Sequence, residues 1–485
     1  MIFLLISLLN FSGNVGTRSE FNISKHNNLP QSYNALYFNV KAMTAPIGFS
    51  LNGELTQSES RFSPQFLKKL GFSSDIGIIH FDIGDHSPVY SKFTLSGTQL
   101  RGISLRLTPG PLIFGLTGGR IRVGGADTKG EYRREVYGLV LGYKNKRFEF
   151  STNLARLNDR PSNIDSIYTP QENIAAGVSA KILLPFKVKI EGEAGYSVFT
   201  RDKHAEALDT LRFNGINPSD FGFTPRISTR MDYGYRYNIF IPIKFFGFRY
   251  GKDYIGPGFT TLGNPYLKND VERDMFTGTL NLFKGKFYNS FTYLMQSDNL
   301  SGEKSGTTEM NNFLYSTSIK PVEFFRLRGR YSNLSMERTD SLYQRSYTRY
   351  IYDVTPEFTF KKWDLTHQFY INLSFNNTEM DTTITEGKGF RTGYTLRHNN
   401  DFSVNSTVQI TEYGKETRNK YTIGTKKSIG ETNSISANIA FGTRFEARLS
   451  ANILGPFKIN ITPAIAFYQT TSDNTRISLN IARSF

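Results

Sequence analysis

The sequence predicts an all-β fold, a transmembrane antiparallel β-barrel. Three observations carry the prediction. Alternating segments recur from about residue 32 to the end, each running into a turn. Aromatic residues make up 14% of the 485 residues, with 41 Phe and 27 Tyr, and they cluster at the ends of these segments. The chain ends on an alternating strand with a terminal aromatic, Phe485. Mean hydropathy is −0.37. That value suits a barrel, in which every second strand residue faces a polar lumen.

The first element is the apolar run Ile2–Leu9, too short to span a bilayer as a helix. It reads as the core of a signal peptide over residues 1–16, with cleavage expected near Gly13 to Thr17. No Lys or Arg precedes it, so the coding start is expected further upstream. Residues 17–31 are expected as a short periplasmic lead, and 32–485 as one barrel domain of about 24 strands (roughly 20–28). The 15 or so residues of that lead leave no room for a plug domain ahead of the barrel. In Ser63–Gly71 the order Ser, Pro, apolar pairs and Gly fits a short helix as well as an irregular strand. A segment such as 59–74 is therefore a candidate constriction.

The turns at one end resemble one another: Leu184–Lys187, Phe283–Lys286, Lys320–Glu323, Lys361–Trp363 and Leu454–Phe457. The others are longer and polar, at 157–172, 202–224, 299–309, 337–345 and 378–388. Short turns on one side and long loops on the other match the periplasmic and extracellular ends of outer-membrane barrels. The strand faces are legible. Tyr137, Leu139, Leu141 and Tyr143 oppose Gly138, Val140 and Gly142. Phe186, Val188, Ile190, Gly192, Ala194, Tyr196 and Val198 oppose Lys187, Lys189, Glu191, Glu193 and Ser197. In the last strand Ile477, Leu479, Ile481 and Phe485 share a face, resembling the closing strand that barrel-assembly machinery reads. Arg483 departs from that pattern, standing where an apolar residue is usual.

Two blocks carry a family resemblance. One is Ser87–Gly102, followed by Leu107-Thr108-Pro109-Gly110 and Gly118-Gly119-Arg120. The other is Gly256–Tyr266, followed by Asn269–Glu272, Leu282–Lys286 and Gln296–Leu300. Together they resemble an uncharacterised family of outer-membrane β-barrels from Bacteroidota and related phyla. The resemblance covers about residues 60–300 and is generic beyond. It implies the fold and an outer-membrane location, and it brings no substrate and no functional residues.

Chemistry is thin. There is no Cys, which excludes disulfides, thiolate metal sites and a lipid-anchoring thiol together. No cofactor motif is present. The only His cluster is His80-Phe81-Asp82-Ile83-Gly84-Asp85-His86-Ser87, readable as a metal or His/Asp/Ser hydrolase site, or as a solvated strand end. The formal charge of +16 points to anionic contacts, lipid phosphates or solutes. Nucleic acid is discounted, because no recognition motif is present.

The basic residues are placed by their neighbours. Arg326, Arg328 and Arg330 oppose Phe325, Leu327 and Tyr331. Arg226, Arg230 and Arg236 oppose Ile227, Met231, Tyr233 and Tyr235. Arg444 and Arg448 oppose Phe445, Ala447 and Leu449, and Arg106, Lys187 and Lys189 are of the same kind. An Arg facing lipid at mid-bilayer costs roughly 2–4 kcal/mol, so all of these are expected in the lumen. A lumen lined in this way screens solutes in favour of anions. The same groups also have carboxylates at hand in Glu191, Glu193, Asp232 and Glu446, and a web of salt bridges is the other reading. The expected function is a passive outer-membrane pore for small, anionic solutes, in contact with lipopolysaccharide. The alternatives are a non-conducting scaffold binding a periplasmic or surface partner, and a surface enzyme using the His80–Ser87 cluster.

Overall fold

The computed structural model describes residues 10–23, 32–44, 47–56, 67–123, 132–161, 169–208, 219, 222–340, 343–398, 402–414, 416–429, 433–442, 444–454, 460–470 and 475–484. The strands are β1 (Asn10–Ile23), β2 (Ser32–Thr44), β3 (Ile47–Thr56), β4 (Leu67–Ile76), β5 (Ile79–His86), β6 (Leu100–Leu107), β7 (Leu112–Val123), β8 (Tyr132–Lys144) and β9 (Phe148–Pro161). They continue as β10 (Glu172–Leu183), β11 (Lys189–Thr200), β12 (Thr229–Ile243), β13 (Phe246–Ile255), β14 (Val271–Leu282), β15 (Phe287–Asp298), β16 (Gly306–Val322), β17 (Phe325–Asp340) and β18 (Gln344–Lys362). The last are β19 (Leu365–Met380), β20 (Thr383–His398), β21 (Phe402–Tyr413), β22 (Glu416–Ile429), β23 (Asn433–Gly442), β24 (Arg444–Leu454), β25 (Asn460–Thr470) and β26 (Thr475–Ser484).

Each strand pairs antiparallel with the one before and the one after it. β1 also pairs with β26, from Asn14↔Ser484 to Ile23↔Thr475, and this closes the sheet. The barrel has 26 strands among the described residues, within the expected range.

Alternation decides the faces. On β8 Tyr137, Leu139, Leu141 and Tyr143 point outward, with Tyr137 54% exposed, while Val136 and Gly138 are buried inside. Phe148, Phe150 and Leu154 on β9, and Leu112, Phe114 and Leu116 on β7, continue the apolar exterior. On β12 to β14, Tyr233, Tyr235, Tyr237, Tyr250, Tyr254 and Phe276 form an outer ladder of ring contacts, stacked except for the edge-on pair Tyr237–Tyr250, with centroids 4.8–6.5 Å apart. An apolar, aromatic-rimmed exterior around a polar interior is the architecture of a transmembrane β-barrel. One outward cluster is charged: Lys252 meets Glu272 at 2.5 Å and Asp274 at 3.3 Å, and Tyr250 donates to Asp274 at 2.6 Å. Pairing of this kind limits the penalty of charge on that face.

Several expected boundaries move. The wall begins with β1, so part of the expected lead 17–31 and the expected cleavage positions Gly13–Thr17 lie in a paired strand. Residues 1–9 lie outside the described residues. Leu67–Gly71 belongs to β4 and not to a helix, because Leu67–Gly71 pairs with Asn52–Leu55 of β3. Residues 63–66 lie outside the described residues. The segments 337–345 and 378–388 are not long loops. β17 to β20 run through them, leaving 341–343 and 381–382 as connections. Their polar residues pair across the ladder as strand ends do when water rather than lipid surrounds them.

Candidate functional site

A lumen of this circumference cannot be filled by side chains alone. Sixteen- to eighteen-stranded barrels already leave an aqueous channel. Here two connections fold inward to occupy part of it. One is 87–99, between β5 and β6; the other is 256–270, between β13 and β14.

The two segments bind each other through backbone. Ser96 N donates to Gly263 O at 2.9 Å, Thr98 Oγ1 to Gly263 O at 2.8 Å, Thr261 Oγ1 to Thr94 O at 2.8 Å, and Asn264 Nδ2 to Lys92 O at 2.8 Å. The approach is so close that a Cβ on Gly263 would lie 2.1 Å from Thr94 O. Phe93 packs edge-on against Phe259 at 5.6 Å, and neither ring is exposed by more than 1%.

The wall beneath is cut to receive them. A Cβ on Gly195 would lie 2.3 Å from Phe93, and one on Gly138 would lie 2.6 Å from Tyr90. Leu95 joins Leu100, Val136, Ala155, Leu157, Phe199 and Leu262 in a core inside the barrel. Polar groups are matched as well. Asn173 donates to Thr260 O at 3.2 Å and accepts from Leu262 N at 3.2 Å, and Thr94 Oγ1 lies 2.5 Å from Asn153 Oδ1. Lys92 pairs with Asp253 at 3.0 Å, and Ser91 donates to Glu193 at 3.1 Å. Burial holds the Lys92 ammonium below its ordinary pKa, with Asp253 offsetting part of that. Burial likewise raises the Tyr90 phenol, which lies 2.6 Å from Thr117 Oγ1.

The predicted basic residues divide into groups. Arg236 and Lys189 are on the lumen face but paired, Arg236 with Glu193 at 2.8 Å and Lys189 with Glu191 at 2.6 Å. For these the salt-bridge reading holds. Arg230 and Arg106 also have lumen positions, in register with the inward-facing Phe199 and with His80. Arg326, Arg328 and Arg330 share one face of β17, in register with Glu357, Thr355 and Asp353, and Arg328 and Arg330 line a recess there. Two positions are corrected. Arg226 lies in the connection before β12 and donates to Ala205 O at 2.6 Å. Lys187 lies in the turn 185–187 with Phe186, both at positive φ and Phe186 91% exposed, because Leu184 N closes onto Val188 O and the strand starts at Lys189. Arg444 and Arg448 belong to β24, in register with Thr470 and Ala466. Ile477, Leu479 and Ile481 pair with Phe21, Ser19 and Thr17 of β1, and Phe485 lies outside the described residues.

The His80–Ser87 cluster is divided. His80 sits between Asp75 at 2.7 Å and Asp82 at 3.1 Å, at the short-turn end of β5. His86, at the other end, meets Ser104 Oγ at 2.6 Å and Gly84 O at 2.9 Å. Asp85 is on the opposite face, held by Arg101 at 2.8 Å and by Leu70 N at 2.8 Å. No His/Asp/Ser triad forms from these residues. Among the described residues no three His, Cys, Asp or Glu side chains gather as a metal site.

The inward segments cover β8 to β14 and leave β15 to β20 open. There a recess of about 640 Å³ is lined by Arg328, Arg330, Asp353, Gln368, Tyr370, Asn372 and Arg391, among others. Arg328 reaches Glu357 at 2.5 Å and keeps half its side chain exposed. Gln368 also donates to Glu357, at 3.0 Å, and Asn372 donates to Thr355 at 2.8 Å. The Arg391 guanidinium lies 5.9 Å from the centre of the Tyr370 ring. Sequence reasoning missed Arg391 and Arg397. Their strand alternates Gly and Thr with Arg on one side, so its apolar face, Phe390, Tyr394 and Leu396, was the only signal.

No family model matches this chain, and no curated protein does. Solved structures do. The P pilus usher translocation pore shares 12% identity over 98% of both chains, with a TM-score of 0.39. The outer-membrane transporter YddB from Escherichia coli shares 9% identity over 98% of this chain and 81% of that one, TM-score 0.45. OccK8 from Pseudomonas aeruginosa shares 11% identity over 73% of this chain and 98% of that one, TM-score 0.35. At these values the likeness is one of barrel to barrel.

Proposed function

We propose that this protein is a passive outer-membrane pore whose passage runs along the open wall of β15 to β20 and favours small anions. The carrying observation is the imbalance of charge on that wall. Arg326, Arg328, Arg330, Arg349, Arg391 and Arg397 share the lumen face of β17 to β20 with Asp353 and Glu357, while the third inward carboxylate of these strands, Asp340, stands at the end of β17 beside Arg338. Buried fields of one sign in a low-dielectric channel raise the local concentration of counter-ions. The apolar exterior and the asymmetry of turns in the first half of the chain support the outer-membrane setting, with the short turns on the periplasmic side.

Planar-bilayer recording across a KCl gradient tests this. Small discrete steps with a reversal potential on the chloride side are expected. Correctly folded protein that passes no current would overturn the pore. It would favour the non-conducting scaffold, for which the two inward segments are the supporting observation.

A further inference from the structure

We propose that the recess on β16 to β20 binds an acidic carbohydrate, a sugar carrying a carboxylate. The inference rests on the pore reading for access to the ligand, and on the recess itself for binding.

The argument is chemical. Arg330 has no hydrogen bond or ion pair among the described residues, and Asp353 lies across from it in register. Arg391 stands beside the Tyr370 ring, in register with Asn372 and Gln409, and makes no ion pair among the described residues. Two guanidinium groups not committed to direct ion pairs offer the planar fork that carboxylates accept in bidentate fashion. Inorganic anions would need no more than that, but the recess holds more. Gln368 and Asn372 present side-chain amides, each with one donor already engaged and further capacity left. Asp353 adds an acceptor suited to hydroxyl donors, which a purely anion-binding site would exclude by repulsion. Tyr370 is folded over Gly393, where a Cβ would meet its ring at 2.4 Å, so the wall has been cut back to seat an aromatic ring at the edge of the recess. Aromatic ring, amides, carboxylate and guanidinium together suit a pyranose with a polar rim, an apolar face and one charge. The volume, about 640 Å³, lies within the range of small-molecule sites.

The test uses the purified full chain in detergent micelles, titrated calorimetrically with digalacturonate, cellobiose and inorganic phosphate. Digalacturonate is expected to bind at least about tenfold more tightly than either of the others, the margin that a charge-assisted pair provides. Arg330→Gln combined with Arg391→Gln is expected to remove that margin. Arg391→Lys, which keeps the charge and loses the fork, is expected to restore phosphate binding more than digalacturonate binding. Retained heat-modifiable migration establishes folding of each variant. Equal binding of cellobiose would overturn the requirement for acid, and equal binding of phosphate would overturn the requirement for sugar. Unchanged affinity in the double glutamine variant would place the ligand elsewhere and overturn the site. Digalacturonate binding by a barrel that passes no current would overturn the pore and leave the site standing. Chloride current without digalacturonate binding would do the reverse.

Discussion

Phe93 shows how a single side chain holds the interior of the barrel. Its ring is fully buried, contacts Phe259, and sits where Gly195 and Gly234 leave no side chain. Truncation of such a ring costs about 3–5 kcal/mol. The strand ladders do not depend on it, so Phe93→Ala is expected to loosen the inward segments and spare the wall. Conductance should rise, and protease should gain access at 87–99, while the barrel stays heat-modifiable. Gly195→Val should give the same result from the opposite side, since its Cβ would collide with Phe93 at 2.3 Å. At the open wall the expected effect is electrical. Arg326→Gln with Arg330→Gln should move the reversal potential toward zero in a KCl gradient, with little change in stability, because neither residue makes a direct ion pair among the described residues. Arg326, Arg328 and Arg330 were legible in the sequence because Phe325 and Leu327 force the opposite face outward. Arg226 and Lys187 were not. Period-2 alternation carries no mark of where a strand stops, and both lie just beyond strands, Arg226 directly after Pro225 and Lys187 two residues after Pro185. Phe93 was illegible for another reason: Val89, Phe93 and Leu95 are scattered among Ser, Thr and Lys in the connection and sustain neither a strand nor a helix period that would place them.

At the scale of elements, the blocks that carried the family resemblance, Ser87–Gly102 and Gly256–Tyr266, contain the parts of the two connections that meet inside the lumen. Each looks like an ordinary long loop when read alone. Only the barrel's curvature brings together residues more than 160 positions apart, and no local pattern encodes that. Of the candidate constriction at 59–74, residues 67–74 lie in β4, where pairing with β3 overrides the helix-like pattern over 67–71 and leaves the irregular-strand reading, and residues 59–66 lie outside the described residues. β5 and β6 pair over Ile79–His86 and Leu100–Leu107 without help from the connection between them. Replacing 89–97 with a short Gly-Ser linker is therefore expected to leave the fold intact and to increase the conductance step several-fold. An unchanged step would mean that the passage does not run beside the inward segments.

At the scale of the whole molecule, closure is the requirement that everything else depends on. Within lipid, each backbone group left without a partner costs several kcal/mol, and an open edge exposes a row of them. β1 satisfies two such rows at once, pairing twelve residues with β2 and ten with β26. The sequence revealed the closing strand at the C-terminal end through its alternation, but not its partner. Asn10–Ile23 is polar and glycine-containing, and beside the apolar run that precedes it, it reads as a processing region. Its role follows from the register alone. Deleting residues 10–23 is thus expected to leave β2 and β26 as unpaired edges and to abolish the heat-modifiable folded band on refolding into micelles. Deleting 1–9, which leaves the strand whole, should preserve that band and the conductance. A chain starting at residue 24 that still folds and passes the same current would mean that β2 and β26 can close on each other, and that the wall needs 25 strands and not 26.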